Sequence, residues 1–379
     1  MTSIKAGFVH SPELEMYRYP PECPFKAARA GKTRRILVSM GMLSGPGRVE
    51  VAPAPAAMDI VTGFHSERYI EVLRRAERGE MDMLGLEMGL GTPDTPVFVG
   101  MTDYALLAAG ATLTAAELVA TGQVHVAFNP SGGYHHAHAE RASGFCYVND
   151  VVLACQALAA RGMRVVFLDV DAHHCDGVQG AFYDRADVMT VSLHESGRTL
   201  FPGTGFEGDV GVGAGEGYSV NVPLPAGCYD EAFATAYREA AEPLISAFEP
   251  DVIVLELGMD GLAGDPLAHL SLTNNAYADL IGRVRALGKP IVAVGGGGYH
   301  VANTARGWAL AWSILCGEDA FDAEMIGMGG VMLESVEWRG GLRDRVLAVA
   351  PAQRDAVAPA VAATIAAVRE KLFGFHGLE

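Results

Sequence analysis

The sequence has no cluster of lysine and arginine. Its 28 Lys and Arg are outnumbered by 45 Asp and Glu, for a formal net charge of −17. That balance argues against a duplex nucleic-acid partner and leaves a basic substrate as the one it would draw in. Cysteine is sparse: Cys23, Cys146, Cys155, Cys175, Cys228 and Cys316 are scattered, with no C-x-x-C pair. They read as reduced thiols in a cytoplasmic protein. Continuous apolar runs reach only about ten residues, too few to cross a bilayer. The opening MTSIKAGFVHSPELE lacks the charged n-region, long apolar stretch and small-residue cleavage site of a signal peptide. No membrane association is expected, and the oligomeric state stays open.

No low-complexity linker or internal repeat divides the chain, and half of its 379 residues are hydrophobic. A single domain over residues 1–379 is expected, burying roughly three quarters of its unfolded surface. Short β-branched runs at residues 6–9, 124–129, 164–170, 188–193, 252–257 and 290–294 alternate with longer helical stretches. The helices are expected at 103–121, 148–161, 230–248, 275–287, 301–316 and 352–372. Most of the strands are continuously apolar. That pattern fits a mostly parallel sheet covered by helices on both faces, an α/β fold. In such sheets ligands bind beyond the carboxyl ends of the strands. Five of the strands end in loops rich in polar residues, glycine or histidine: NPSGGYHHAH, DVDAHHCDG, HESGRTLFPGTG, GMDGLAGDP and GGGGYH. In a parallel sheet all five share one edge.

Asp169, Asp171 and His173 alternate along LDVDAHHCDG, so an extended backbone turns them to one side. Carboxylates at the end of the apolar run VVFL are costly to bury without a cation or strong hydrogen bonds. Asp260, after another apolar strand, is the best third ligand. Asp171, His173 and Asp260 would leave coordination positions open for water and substrate, the catalytic form of a zinc site. The same donors tolerate Fe²⁺ or Mn²⁺. His135 and His136 offer an imidazole base near neutral pH. Asp169 and Asp176 are suited to orient one histidine each. Tyr299, after four glycines on the same edge, can donate to an oxygen that gains negative charge. His138, His174, His194 and His300 read as structural.

GGYHHAHAERASGFCYVND, LDVDAHHCDGVQGAFYD, LHESGRTLFPGTG, GMDGLAGDP and GGGGYHVANTARGW occur in that order. Together they resemble the zinc-dependent histone deacetylase family, in particular its class I enzymes and their bacterial acetoin-utilisation relatives. The resemblance runs from about Pro24 to Trp308, and the WRGG at 338–341 fits the bacterial branch. It implies an arginase-like α/β fold and hydrolysis of an acyl amide, typically acetyl-lysine. It implies Asp171, His173 and Asp260 as zinc ligands and His136 as general base and then acid. It pairs Asp169 with His135 and Asp176 with His136, and makes Tyr299 the donor to the acyl oxygen. Phe145 and Phe201 match walls of an acyl-lysine channel, Leu267 its rim, and Gly144 a carbonyl that receives the substrate amide hydrogen. Asp94 matches a rim carboxylate and Arg29 a basic residue at the channel foot. The resemblance further implies K⁺ or Na⁺ at Asp169, Asp171, His173, Ser192 and Leu193. A second such site would fall at Phe182, Arg185, Val188 and Tyr218, where Arg185 replaces a common hydroxyl residue. Glu256, inside VIVLELG, has no assigned partner.

Three other readings compete. An arginase-like ureohydrolase would hold two Mn²⁺, but here the second Asp follows Asp171 by five residues rather than four, and Glu256 and Asp260 do not form a D-x-D pair. A non-catalytic acyl-lysine binder would not need His135, His136 and Tyr299. An acetylpolyamine amidohydrolase would share the chemistry but not the substrate.

Overall fold

The computed structural model describes residues 5–318 and 341–379. Eight parallel strands form one sheet in the order β2-β1-β3-β8-β7-β4-β5-β6. They are β1 (Ala6–Val9), β2 (Arg48–Val51), β3 (Val126–Asn129), β4 (Val165–Asp169), β5 (Val188–Glu195), β6 (Ser219–Leu224), β7 (Val252–Glu256) and β8 (Ile291–Val294). The expected runs correspond to β1, β3, β4, β5, β7 and β8. β2 and β6, the two edges, were not anticipated.

The continuous apolar pattern has its reason in the two-sided burial. Along β4, Val165 and Phe167 face one hydrophobic cluster while Val166 and Leu168 face another; along β7, Val252 and Val254 oppose Ile253 and Leu255. Each such side chain contributes about 2 kcal/mol by leaving water. One face is covered by α3 (Met101–Ala120) and α4 (Asp150–Ala159), which pack on each other and, through α3, on β1, β3 and β8. The other carries α1 (Ala28–Ser39), α8 (Asn274–Ala286), α9 (Val301–Leu315) and the carboxyl-terminal α10 (Pro351–Leu372). Helix α2 (Glu67–Glu77) packs on α3. Helix α5 (Asp176–Phe182) follows β4 and packs against β5. Helix α3, with 20 residues and a mean hydropathy of 1.2, matches a membrane span in length and composition. It is longer as an apolar element than the sequence runs suggested. Of its 20 residues, 15 are buried inside the fold, so it is a core helix here.

The helix expected over 230–248 is interrupted. α6 (Asp230–Ala236) passes through a π-helical turn, Tyr237–Ala241, into α7 (Glu242–Phe248). Pro243 lacks the N–H that would bond the carbonyl four residues back, and the wider turn accommodates that loss. The WRGG at 338–341 lies, except for Gly341, outside the described residues.

The strand order gathers the chemistry. β3, β8, β7, β4 and β5 are consecutive neighbours, and these are the strands that carry the five polar loops. The loops therefore line one stretch of one sheet edge.

Candidate metal centre and active site

β4 and β7 run in register, with Asp169 beside Glu256 and also beside Ser192 of β5. The chain beyond β4 then folds back on its own carboxylates. Asp171 N donates to Asp169 Oδ1 (2.9 Å) and His173 N to Asp171 Oδ1 (2.8 Å). Ala172 N donates to Asp260 Oδ1 across the gap from β7 (2.8 Å), and Gly297 N from the β8 loop donates to Asp171 Oδ2 (2.6 Å). These bonds converge Asp171, His173 and Asp260. His173 Nδ1 lies 3.0 Å from Asp171 Oδ1 and 3.0 Å from Asp260 Oδ2. One ligand atom from each of the three lies within 4.8 Å of the others, and all three residues are buried.

Close approach by glycine makes this possible. A Cβ on Gly297 would overlap Asp260 Oδ2, and one on Gly144 would overlap the His136 ring. Gly144 adopts φ +52 and Phe145 φ +67, a left-handed pair that costs Phe145 conformational energy and brings the segment against His136.

The two histidines sit beside the triad. His135 Nδ1 donates to Asp169 Oδ2 (2.7 Å) and His136 Nδ1 to Asp176 Oδ1 (2.7 Å). Their outer nitrogens, Nε2 and Nε2, meet at 3.1 Å. The ring of Phe201 stands over His136 with centroids 5.0 Å apart. The ring of Tyr299 is perpendicular to His173 at 6.3 Å and lies 5.6 Å from Phe145. His136, Phe145, Asp171 and Tyr299 help line a cavity of about 10 Å³, the space of about one water molecule. Phe145 N donates to the Asp94 carbonyl (2.8 Å), which brings the exposed Asp94 to this wall. Leu267 packs in the same cluster as Phe145 and Tyr299. Arg29 is buried, donates to Gly298 O (2.7 Å) and stacks on Phe25 and Trp308.

The electrostatics separate the histidines. Burial and then the neighbouring His135 push His136 down to about 4, so its ring is neutral at pH 7. Burial also opposes charge on His135, but Glu256 and Asp169 outweigh it and raise its pKa well above 6.5. For Asp176, the His136 and His138 rings outweigh burial and hold the carboxyl well below its usual range. Burial, together with Asp260 and Asp171, keeps the Tyr299 phenol protonated. In the triad, burial and the Asp171 charge push Asp260 up to about 7, whereas for Asp171 the His135 and His173 rings overcome burial and lower it. Two buried carboxylates thus compete around one imidazole. A divalent cation at that point relieves their repulsion, so the donor set fits a metal.

Some residues escaped the sequence reading. His138, taken as structural, reaches Asp176 Oδ2 with its Nε2 (3.2 Å). Asp150 accepts from Gly133 N, Tyr134 N and Thr112 Oγ1 and so anchors the GGYHH loop. Asp265 accepts from Tyr299 N (2.7 Å). These are isolated polar residues, two in loops and Asp150 at the start of α4, and no spacing rule selects them. Glu256 gains a neighbour: Oε1 is 3.1 Å from His135 Nδ1, although neither oxygen makes a hydrogen bond of good geometry. Around the expected monovalent-cation site, Ser192 Oγ contacts His194 Nδ1 (2.8 Å) and Glu195 N donates to Ala172 O. Asp169 pairs with Ser192 across β4 and β5, so the expected donors of this site are neighbours. At the second, the Arg185 guanidinium is spent on Asp187 and its N–H on Phe182 O.

Residues 23–315 match the model of the histone deacetylase domain. The chain belongs to the histone deacetylase family. It is 42% identical over 320 residues to the acetoin utilization protein AcuC of Bacillus subtilis, covering 82% of each chain. It is 40% identical over 291 residues to histone deacetylase 8 of Xenopus tropicalis, covering 76% of this chain and 78% of that one. Among solved structures, an HDAC homolog complexed with SAHA superposes with a TM-score of 0.85 at 32% identity, covering 97% of this chain and all of the other. The fold is thus the deacetylase, arginase-like α/β fold. The protein is a deacetylase, a hydrolase of acetylated amides, in a zinc-dependent family. This membership favours deacetylase chemistry over the two-Mn²⁺ ureohydrolase reading.

Proposed function

We propose that the deacetylase removes an acyl group, most simply acetyl, from the ε-amine of lysine or a similar long-chain amine, with one zinc held by Asp171, His173 and Asp260. The observation that carries this reading is the convergence of the two His–Asp couples on one point beside the buried two-carboxylate, one-imidazole triad. Residues 1–379 act as one catalytic domain, in the cytoplasm; the free thiols, buried at five of six positions, support that setting. K⁺ or Na⁺, held by Asp169, Asp171, His173, Ser192 and Leu193, would brace the loop after β4.

Zinc, when bound, supplies a Lewis acid that polarises the acyl carbonyl and acidifies water. The rest is the work of the chain. His136, neutral and oriented by Asp176, takes a proton from the attacking water at Nε2. His135, held by Asp169, supplies positive charge beside it. Tyr299 donates its hydroxyl hydrogen to the developing oxyanion. The C–N bond then breaks as His136 returns its proton to the leaving amine, and the second water proton passes from the new carboxylic acid to the amine, yielding the ammonium and the carboxylate. The Gly144 carbonyl receives the substrate amide hydrogen. Phe145, Phe201 and Leu267 bury the methylene chain, and Asp94 holds the substrate backbone at the rim.

The test is a panel of acyl-lysine peptides and acyl-polyamines assayed with zinc-loaded protein. Turnover of acetyl-lysine peptides is expected. Zinc-saturated protein that turns over neither class would overturn the assignment, and turnover of acyl-polyamines alone would replace the lysine reading by the acetylpolyamine amidohydrolase. A hydroxamate is expected to inhibit by chelation.

A further inference from the structure

Glu195, the last residue of β5, has a fully buried side chain. A glutamate in that position needs partners, and all of those found here are loop groups. Oε2 accepts from His269 N (2.7 Å), and Oε1 accepts from His269 Nδ1 (2.9 Å) and Thr199 Oγ1 (2.9 Å). Its own N–H holds Ala172 O, between two metal-site residues. Thr199 lies two residues before Phe201, and His269 two residues after Leu267. One carboxylate therefore ties the loop that carries one channel wall to the loop that carries its rim.

The far end of the rim segment is tied as well. Asp265 accepts from Leu267 N (2.9 Å) on one oxygen and from Tyr299 N (2.7 Å) on the other. The five residues 265–269 are thus pinned to the Tyr299 loop at one end and to the Phe201 loop at the other. The pins differ in exposure: Asp265 is buried, whereas the His269 side chain is 63% exposed. A charged acceptor shared by three donors is strong and directional. It supplies a fixed distance between two segments that no strand pairing links directly.

We infer that Glu195 and His269 are positioning residues, a latch that sets the spacing between Phe201 and Leu267 and so how tightly the channel grips the chain of its substrate. The inference rests on the channel proposed above. The latch acts through the walls and not through the metal or the proton-transferring groups. Its removal therefore weakens ligands that fill the channel and spares those that only reach its floor.

His269→Ala alters an exposed side chain and leaves the core intact. His269→Asn keeps an N–H donor close to the Nδ1 position. With zinc-loaded full-length protein, His269→Ala is expected to weaken a long-chain alkyl hydroxamate and raise KM for an acetyl-lysine peptide by about five- to tenfold, the scale of one lost charge-assisted hydrogen bond. Acetohydroxamate affinity and kcat should stay within about twofold, and His269→Asn should restore the long ligand. Hydrogen exchange gives a readout independent of activity. Amides of residues 196–205 should exchange faster in His269→Ala, although the substitution lies in the other loop. Equal loss of both hydroxamates, no loss of either, or faster exchange confined to residues 264–270 would overturn the latch. Wild-type protein that neither hydrolyses acetyl-lysine nor binds either hydroxamate would defeat the proposed function instead, and the exchange result would still decide whether the loops are coupled.

Discussion

Tyr299, the proposed donor to the oxyanion, is the most separable residue of the site. Tyr299 is protonated, and its ring packs on Phe145 and edge-on against His173. Tyr299→Phe is expected to retain zinc and lower kcat by about 10²–10³, the value of one oxyanion donor; metal analysis alongside steady-state kinetics checks it. A second residue links pH to stability. Burial lowers His65 from 6.5 to about 4, and its Nε2 accepts from Asn149 N (3.0 Å). Its folded pKa lies below its unfolded one. The stabilising contribution is therefore complete above about pH 6.5 and is lost as pH falls toward 4, up to about 3 kcal/mol. The stability gap between wild type and His65→Gln, measured by denaturant unfolding, should narrow over that interval. At this scale the sequence was informative where residue types cluster. Asp171, His173 and Asp260 followed from the cost of burying carboxylates, whereas Glu195 and Asp265 stand alone and acquire meaning only from partners 74 and 34 residues away.

Among elements, legibility tracked apolar composition. The central strands are apolar on both faces and were readable as such, with ends within two residues of those observed. β2, RVEV, alternates charged and apolar residues with no buried position, and β6, SVNVPL, carries Ser, Asn and Pro. Both are edges, where a proline is tolerated and one flank needs no partner. Helix α1, ARAGKTRRILVS, mixes Gly, Arg and Ser and presents no clean apolar stripe. The glycine loop after β8 belongs to this scale, because its four glycines act as one surface. A Cβ on Gly297 meets both Asp260 and Asp171. Gly297→Ala is expected to abolish zinc retention while far-ultraviolet circular dichroism stays unchanged, since the sheet and its clusters lie behind the loop. Retention of a full zinc equivalent would show that the loop yields.

Taken whole, the molecule carries a net charge of −17. A substrate of net positive charge gains from that field, and the gain is screened as the Debye length falls below about 10 Å above ~0.1 M salt. For an acetyl-lysine peptide flanked by Lys and Arg, kcat/KM should fall about two- to tenfold from low to high salt, while a neutral peptide changes little. The order of the strands is the feature no local pattern contained. That β3, β8, β7, β4 and β5 are neighbours is a property of the entire chain, and it is what brings residues 135, 171, 260 and 299 together. The central claim is that this convergence holds one catalytic cation. Metal content measured together with acetyl-lysine hydrolysis, for wild type and Asp260→Ala, tests it most directly. One zinc per wild-type chain, none in the variant, and activity only where zinc is present is the predicted result; undiminished hydrolysis by metal-free protein, or two metal equivalents per chain, would contradict it.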